Sequence, residues 1–444
     1  MGFRDVLVFG AVFMALPFIV WRPWIGVMTW VWLGLMNPHR LAFGAAYTFP
    51  FSFTVAIATV LGMVFSGQQI RFKGGAPAWV LLAFLSWTCV TTALALDPAR
   101  AVPMFERVMK IQSFTFVALL VLGTQKHLVW LVWIIVLSIG YFSVKGGLFT
   151  LYHLGEFRVW GPADSFIADN NALALAVIMT IPLAIYLFGI HRNRWVRSCI
   201  AIGIVLSTVA ALGSYSRGAF LALAAMAFWL LLHGKRKGLL ATLVLTIGVS
   251  VAAFMPAQWE ERMQTIVEYR QDRSAQGRLD AWAMLYNLAL DRPIVGGGFE
   301  PYSQDIYRRY LPDYEQALAA HSIYFQVLGE HGFVGFALFA LFWLLTWRLG
   351  SSLERRSRNR PGCEWAFWLA RMVQVSLVGY FVGGLFLNLA YWDLPYYLMV
   401  LLAVASWILR EEELADIRAN RKIPAQATGF EPITQLAGGA RTIT

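Results

Sequence analysis

Long runs of apolar residues, separated by short polar segments, recur along the whole chain. A helix of about 20 apolar residues can cross a hydrocarbon core of about 30 Å, so each run predicts a transmembrane helix. The first run, from Val6 to Met36, is interrupted at Arg22 and Pro23, which predicts one broken helix or a short hairpin. The other runs lie near residues 51–65, 77–96, 109–122, 128–141, 171–190, 198–212, 219–233, 239–254, 323–347, 365–387 and 394–409. With the first run counted as a single crossing, the pattern predicts an all-α polytopic membrane protein of about twelve transmembrane helices.

The composition excludes a soluble globular protein. Of the 444 residues, 59% are hydrophobic and 14% are charged, and the mean hydropathy is +0.60. Soluble domains carry about 25% charged residues. The formal net charge of +11 could indicate nucleic-acid binding, but the basic residues stand mostly in short loops and no nucleic-acid motif is present. We therefore interpret the charge as a signal of membrane topology.

Clusters of Lys and Arg orient the predicted helices. They occupy the loops at residues 71–73, 192–197, 235–237 and 348–360. Cytoplasmic loops of membrane proteins are enriched in these residues, so we expect the four loops to be cytoplasmic in a bacterial inner membrane. With twelve crossings, both termini are then cytoplasmic. The polar residues 411–444 predict a cytoplasmic tail that is partly disordered.

One polar segment is too long for a simple connector, because loops beyond about 12–15 residues are usually functional or disordered. Within it, Gln258–Arg270 and Leu279–Leu290 have the periodicity of amphipathic helices, and Pro293 with three glycines at 296–298 indicates a turn. Charge alternation puts this segment outside the cytoplasm. We expect four regions: N-terminal transmembrane helices at 1–254, a helical periplasmic loop domain at 255–322, C-terminal transmembrane helices at 323–410 and the tail.

Arg217 is the first candidate functional residue. It stands in the turn Ser216-Arg217-Gly218, between two apolar runs. An arginine so close to the hydrocarbon core is costly and is by default a functional candidate. The alternative is a side chain that snorkels to lipid phosphate. Because the turn is expected on the outer side, we favour a functional role.

Arg278 is the second candidate, because a flexible glycine precedes it and an amphipathic helix follows. The N-terminus of a helix beside an arginine attracts anions through free backbone N–H groups and a planar donor fork. A solvated loop arginine is the simpler alternative. Six other arginines compete for the role, at positions 262, 270, 273, 292, 308 and 309.

His321 stands where the long polar segment returns to the membrane. Histidine titrates near neutral pH and can act as a base. A lone histidine is more often an interface or core residue, and His331 is an alternative deeper in the same run. Asp393 can orient a base or cap a helix, and Asp169 reads first as an N-cap. The seven histidines and three cysteines show no metal-ligand spacing, so no metal or other cofactor is expected.

The order of these motifs and the predicted topology resemble the O-antigen ligase and polymerase superfamily, from about Asp169 to Asp393. The N-terminal part resembles the subgroup described as exosortase-associated O-glycosylation ligases. The residues that carry the two resemblances are Asp169-Asn170-Asn171, Ser216-Arg217-Gly218, His321-Ser322-Ile323-Tyr324 followed by Leu328, Glu330 and Gly332, and, for the subgroup, Trp30-Val31-Trp32 and Met36-Asn37-Pro38.

The resemblance implies a glycosyltransferase that takes a glycan from undecaprenyl diphosphate at the periplasmic face and, as an O-antigen ligase, passes it to the lipid A-core of lipopolysaccharide. It implies His321 as catalytic base and Arg217 and Arg278 as diphosphate ligands, with Tyr324, Asp393 and Ser216 as supporting residues. Direct attack on the anomeric carbon would invert its configuration, and no carboxylate pair for a retaining mechanism is evident. The implied partners are the lipid-linked donor, the lipid A-core acceptor and membrane lipids.

Several alternatives remain at this point. An O-antigen polymerase or a protein O-oligosaccharyltransferase would share these features and differ only in the acceptor. A transporter of lipid-linked glycans would also use arginines, but it would usually show duplicated halves. A structural membrane scaffold would leave the Arg217 turn unexplained.

Overall fold

The computed structural model describes residues 2–233, 273–312 and 316–421, and throughout these ranges the regular structure is helical. The N-terminal helices are α1 Phe3–Trp21, α2 Pro23–Met36, α3 Ala45–Thr48, α4 Phe51–Phe65, α5 Gly75–Ala93, α6 Pro98–Val121, α7 Gln125–Tyr152, α8 Asn170–Ile190, α9 Arg194–Gly213 and α10 Arg217–His233. The later helices are α11 Arg273–Asp291, α12 Gln304–Tyr310, α13 Ile323–Ser357, α14 Glu364–Gly383 and α15 Asp393–Arg421, with 3₁₀ turns at Pro38–Leu41 and Gly384–Phe386.

The predicted apolar runs fall on helices wherever the structure describes them. In this part of the chain eight helices are long and apolar enough to cross a membrane, and α2, α4 and α10 are shorter apolar helices. The all-α membrane class is therefore confirmed. The count of twelve crossings stays a prediction, because the runs predicted at 239–254 and at Gln258–Arg270 lie outside the described residues.

The first apolar run forms two antiparallel helices rather than one broken crossing. Pro23 is the first residue of α2, where its fixed φ and missing N–H are tolerated, and α1 ends one residue before Arg22. At the turn between them, Trp24 stacks on His127 at the beginning of α7, with ring centroids 4.9 Å apart. At the other end of α1, the Asp5 carboxylate accepts hydrogen bonds from the backbone N–H groups of Gly2 and Ala46.

This hairpin changes the expected placement of the termini. Phe3 lies at the end of the bundle where α2 finishes, since Asp5 contacts the segment that follows α2. Arg421 is the last described residue of α15, and near that end Glu413 of α15 pairs with Arg356 of α13, 2.7 Å apart. The first and last described helices thus terminate at opposite ends of the bundle. The expectation that both termini lie on one side does not fit this arrangement, because it counted α1 and α2 as one crossing.

The centre of the bundle consists of α8, α14 and α15. In these three spans 72%, 72% and 83% of the most apolar window is buried, against 22% in α1 and 33% in α9. Apolar surface buried between helices gives little net gain against lipid, so close packing holds such a bundle together. Glycines allow that packing: a Cβ on Gly147 of α7 would lie 2.3 Å from the backbone oxygen of Leu206 in α9.

A layer of shorter helices covers one end of the bundle. In α11 the buried residues recur with helical spacing, as the amphipathic pattern predicted, and they are Ala281, Met284, Leu285 and Leu288. They pack against the beginning of α13, where Gly329 leaves room for Leu285. The turn predicted at Pro293 and residues 296–298 is present, with φ of +63° at Gly296 and +82° at Gly298.

Candidate functional site

Four helices begin at the same end of the bundle, which we call the site end: α8, α10, α13 and α15. The first turns of a helix carry backbone N–H groups without intrahelical partners and the positive end of the helix dipole. Such an arrangement favours negatively charged ligands. Every residue selected from the sequence for a site role lies at or near this end.

Arg217 is positioned by the turn that precedes it. The Ser216 hydroxyl accepts a hydrogen bond from the backbone N–H of Ala219, 3.2 Å away, so it caps α10, of which Arg217 is the first residue. The buried Asn170 side chain donates to the backbone oxygen of Ser214 at 2.7 Å. The predicted Asp169-Asn170-Asn171 and Ser216-Arg217-Gly218 motifs are therefore joined, and the supporting role expected for Ser216 is that of a helix cap.

The 3₁₀ turn Gly384–Phe386 connects the Arg217 turn to the His321 segment. A Cβ on Gly218 would lie 3.2 Å from the Phe386 ring, and one on Gly384 would lie 2.7 Å from the Ile323 side chain. The two segments thus pack on the same three residues. The half-buried Arg217 side chain and His321 therefore belong to one region of the site end.

His321 has the backbone conformation of a functional outlier. Its φ is +44°, in the left-handed region that non-glycine residues seldom adopt. Tyr215 and Glu300, with φ of +59° and +51°, also lie at this end of the bundle. Strained backbone of this kind clusters at binding and catalytic sites. The next residue, Ser322, is fully buried, and its hydroxyl has no hydrogen-bond partner among the described residues.

Burial lowers the pKa of His321 below its usual value, and the positive charge of Arg278 lowers it further, whereas Asp169 opposes both. The sequence analysis attributed this shift to neighbouring arginines, but removal from water is the larger cause. The same interactions show that Arg278 and Asp169 both lie close to His321. A neutral imidazole at pH 7 can accept a proton.

Arg278 differs from its predicted setting. It was expected just before a helix, but α11 begins at Arg273 and continues through Gly277 and Arg278, so free N–H groups of a helix N-terminus do not contribute there. The helix is fixed beside His321 by Trp282, whose indole N–H donates to the backbone oxygen of Ala320 at 2.9 Å. Arg278 therefore offers its guanidinium alone.

Tyr324 and His331 serve the packing of α13. The Tyr324 hydroxyl donates to the backbone oxygen of Phe381 at 3.0 Å, which ties α13 to α14. His331 is fully buried, and its Nδ1 lies 2.7 Å from the Thr91 hydroxyl. His331 is thus a core residue and not a competitor of His321 for substrate.

Glu330, which the sequence suggested as a packing residue, holds three elements together. Its buried carboxylate accepts hydrogen bonds from the backbone N–H of Glu300, the Tyr302 hydroxyl and the Tyr391 hydroxyl. Gly332 has φ +67° and interrupts α13, so the chain kinks where it meets the glycine turn at 296–298. The layer above the bundle is therefore anchored inside it.

Asp393 faces a residue that the sequence analysis did not select. Its buried carboxylate interacts electrostatically with Arg107 of α6, which also interacts with Glu300. Burial raises the pKa of Glu300, although Arg100 and Arg107 oppose this. Arg107 was missed because it precedes the apolar run predicted at 109–122. Asp97 followed by Pro98 is a helix-start signal that could have extended the helix to include it.

Among the described residues, no three His, Cys, Asp or Glu side chains lie together as a metal-ion site would require. The site end instead presents arginines, one histidine and helix N-termini. Such a set can bind a diphosphate and move a proton.

Comparison with protein families defines the class to which the chain belongs. Residues 202–340 match the family model described as O-antigen ligase, and this range contains Arg217, Arg278 and His321. The chain therefore belongs to the O-antigen ligase superfamily. Residues 3–191 match a family of unknown function, DUF5935. No curated protein matches the chain.

Proposed function

We propose that the protein is an O-antigen ligase that transfers a glycan from undecaprenyl diphosphate to the lipid A-core of lipopolysaccharide, with inversion and without a metal ion. One observation carries the proposal. Within the matched O-antigen ligase region, His321 lies beside Arg278, and the Arg217 turn packs on the same 3₁₀ turn as the residues that follow His321.

The two arginines suit the leaving group. Cleavage of the bond between the sugar and the diphosphate develops negative charge on the departing oxygen. Fixed positive charge at that position stabilises the transition state without reorganisation. A guanidinium can also bind a phosphate through two parallel hydrogen bonds. Arg217 adds the N-terminal end of α10, where unpaired backbone N–H groups favour an anion.

His321 is the proposed base. An acceptor hydroxyl oxygen attacks the anomeric carbon while the bond to the diphosphate oxygen breaks, and the hydroxyl proton passes to the neutral imidazole. The depressed pKa keeps the imidazole unprotonated at neutral pH. General-base catalysis of this kind contributes about 10²- to 10⁴-fold. Asp169 lies close enough to stabilise the imidazolium that forms.

The site end is proposed to face the periplasm. The opposite end carries the basic loops at 71–73, 192–197 and 355–360, which are expected in the cytoplasm. Helices α8, α10, α13 and α15 then begin at the outer membrane face, where a polyprenyl carrier can remain in lipid while its diphosphate reaches the arginines.

The test uses purified protein in detergent with a defined glycan on undecaprenyl diphosphate and a lipid A-core acceptor. We expect release of undecaprenyl diphosphate together with the glycosylated acceptor. Arg217→Ala should abolish the transfer, and Arg217→Lys should restore little of it, because lysine lacks the two-pronged fork. Arg194→Ala, at the opposite end of the bundle, serves as a control.

The acceptor distinguishes the alternatives. Transfer only to a second carrier-linked glycan would mark a polymerase, and transfer only to a protein would mark an O-oligosaccharyltransferase. Movement of the donor across vesicle membranes without release of carrier diphosphate would indicate a transporter. Normal transfer by Arg217→Ala would contradict the assigned site.

A further inference from the structure

A groove of about 740 Å³ opens on the N-terminal part of the bundle, away from His321 and the two arginines of the proposed donor site. It lies between α2, the segment that carries α3, the beginning of α4, and α6. Its lining residues are mainly aromatic on one part and polar on the other; they include Trp30, Phe51 and Phe114, and Arg40, Tyr47 and Lys110.

The apolar part of the groove is a preformed aromatic surface. Trp30 stacks on Phe114 with ring centroids 3.6 Å apart and an interplanar angle of 4°. Phe49 and Phe51 form a second aromatic pair, 4.7 Å between centroids. These residues come from helices that contact lipid, so the surface suits an acyl chain. Pockets with apolar walls and a few fixed polar groups are typical of ligand sites.

The polar part of the groove carries positive charge. Arg40 and Lys110 stand on different elements, the first 3₁₀ turn and α6, and no carboxylate is among the lining residues. His39 also lines this part, and burial together with the neighbouring Arg40 lowers its pKa to about 4. His39 is therefore neutral at pH 7 and adds hydrogen-bonding capacity rather than charge. One His39 nitrogen, Nδ1, is buried without a hydrogen-bond partner among the described residues.

The ion pairs that these cations make are exposed ones. Arg40 lies 3.5 Å from Asp164, whose side chain is 61% exposed, and Lys110 lies 3.2 Å from the exposed Glu106. Exposed pairs contribute about 0–1 kcal/mol, so an anionic ligand can replace either carboxylate at little cost. The Tyr47 hydroxyl, which donates to Asp164 at 2.5 Å, can donate to the same ligand.

A single loop connects the groove to the proposed catalytic base. The loop between α7 and α8 brings Asp164 to the groove and ends at Asp169, which lies close to His321. Between these points, the ring of Phe166 lies 3.9 Å from the guanidinium of Arg107. Polar groups therefore continue from the groove towards the site end.

We propose that this groove binds the acceptor of the transfer, as a lipid whose sugar headgroup carries phosphate groups. The aromatic surface takes acyl chains, Arg40 and Lys110 take the phosphates, and the headgroup extends along the α7–α8 loop towards His321. The inference rests on the proposed function, because a transfer between two lipids needs a second groove open to the membrane. The donor arginines are already placed elsewhere, on α10 and α11.

The test measures lipid binding without catalysis. Purified protein is titrated, by native mass spectrometry in detergent, with lipid A bearing two phosphates, dephosphorylated lipid A, undecaprenyl diphosphate and phosphatidylglycerol. We expect the variant Arg40→Gln/Lys110→Gln to lose at least 10-fold in affinity for lipid A and to bind undecaprenyl diphosphate as the wild type does. Arg22→Gln/Lys126→Gln, with two basic residues at the opposite end, is the matched control.

A second variant fills the groove instead of changing its charge. Ala56→Trp, on the wall formed by α4, should weaken binding of lipid A with and without phosphates, whereas the charge variant should affect only the phosphorylated form. Loss of undecaprenyl diphosphate binding in the charge variant would assign the groove to the donor and overturn the proposal. Equal competition by phosphatidylglycerol, or unchanged lipid A affinity, would overturn it as well. Because binding is measured directly, failure of the proposed transfer would leave this result readable.

Discussion

Replacement of His321 tests the proposed chemistry most directly. His321→Ala removes the group that accepts the acceptor's proton, so transfer should fall by about 10²- to 10⁴-fold. In free energy of activation this is about 3–5 kcal/mol. Binding of undecaprenyl diphosphate should survive, because the proposed ligands of the diphosphate are arginines on other helices.

The backbone at His321 supplies a control for folding. A non-glycine residue in the left-handed conformation costs about 1–2 kcal/mol, and His321 has φ +44°. Alanine keeps that cost, whereas glycine relieves it. We expect His321→Gly to lose as much transfer as His321→Ala while its thermal stability stays equal to or above that of the wild type. Such a pair separates loss of the base from loss of the fold.

The pH dependence gives a sign that a purely structural histidine would not produce. Because burial and Arg278 lower the pKa of His321, the imidazole stays neutral below pH 6.5, and transfer should fail only on further acidification. Arg278→Gln removes a like charge and should move this acid limit to higher pH, in addition to weakening donor binding. Asp169→Asn removes the opposite charge, keeps a capping side chain on α8, and should move the limit to lower pH.

The assay is glycan transfer between pH 4.5 and 8 at saturating donor, with donor binding and membrane insertion measured in parallel. Near-normal transfer by His321→Ala would show that the base lies elsewhere. An acid limit that does not respond to either Arg278→Gln or Asp169→Asn would separate the pH dependence from His321, even if the alanine variant were inactive.

Three further predictions concern the metal, the anchor and the topology. Chelator should leave transfer by purified protein unchanged, and loss of transfer that magnesium restores would contradict the metal-free mechanism. Glu330→Ala should lower the free energy of unfolding by about 3 kcal/mol or more, because each of three buried donors left without its acceptor costs about 1–3 kcal/mol; Glu330→Gln should cost less in thermal unfolding, and equal midpoints would argue against the hydrogen-bond account. In single-cysteine variants, Phe43→Cys should react with a membrane-impermeant reagent in intact spheroplasts and Gln68→Cys should not, since α4 separates the two positions; the reverse pattern would invert the proposed orientation.

The helical bundle was predictable because membrane crossing depends on local composition. A run of apolar residues is visible in the sequence whatever it packs against. The hairpin of α1 and α2 was left open for a physical reason: Arg22 and Pro23 show where the helix stops, but a kink and a reversal look alike until the contacts of Trp24 and Gly62 are known. One miscounted crossing reversed the expected side of the N-terminal end.

The candidate site was predictable as far as charge in an apolar context is a signal. Arg217 and His321 stood out because few ionisable residues flank the apolar runs. The sequence could not show that Asp169 lies near His321, since about 150 residues separate them and only tertiary packing joins them. Nor could it show that Ser216 caps a helix or that burial is the larger influence on His321.

The three hydrogen bonds at Glu330 have a consequence for how substrates reach the site. Glu300 and Tyr302 belong to the outer layer, Tyr391 to the connection before α15, and all three donate to one carboxylate that water does not reach. Lifting that layer would strand a carboxylate and three donors together, so it acts as a fixed roof rather than a hinged door. Traffic of two membrane-borne molecules is then sideways, through gaps between helices, and a glycan chain of any length can trail into the periplasm while its lipid end slides within the leaflet.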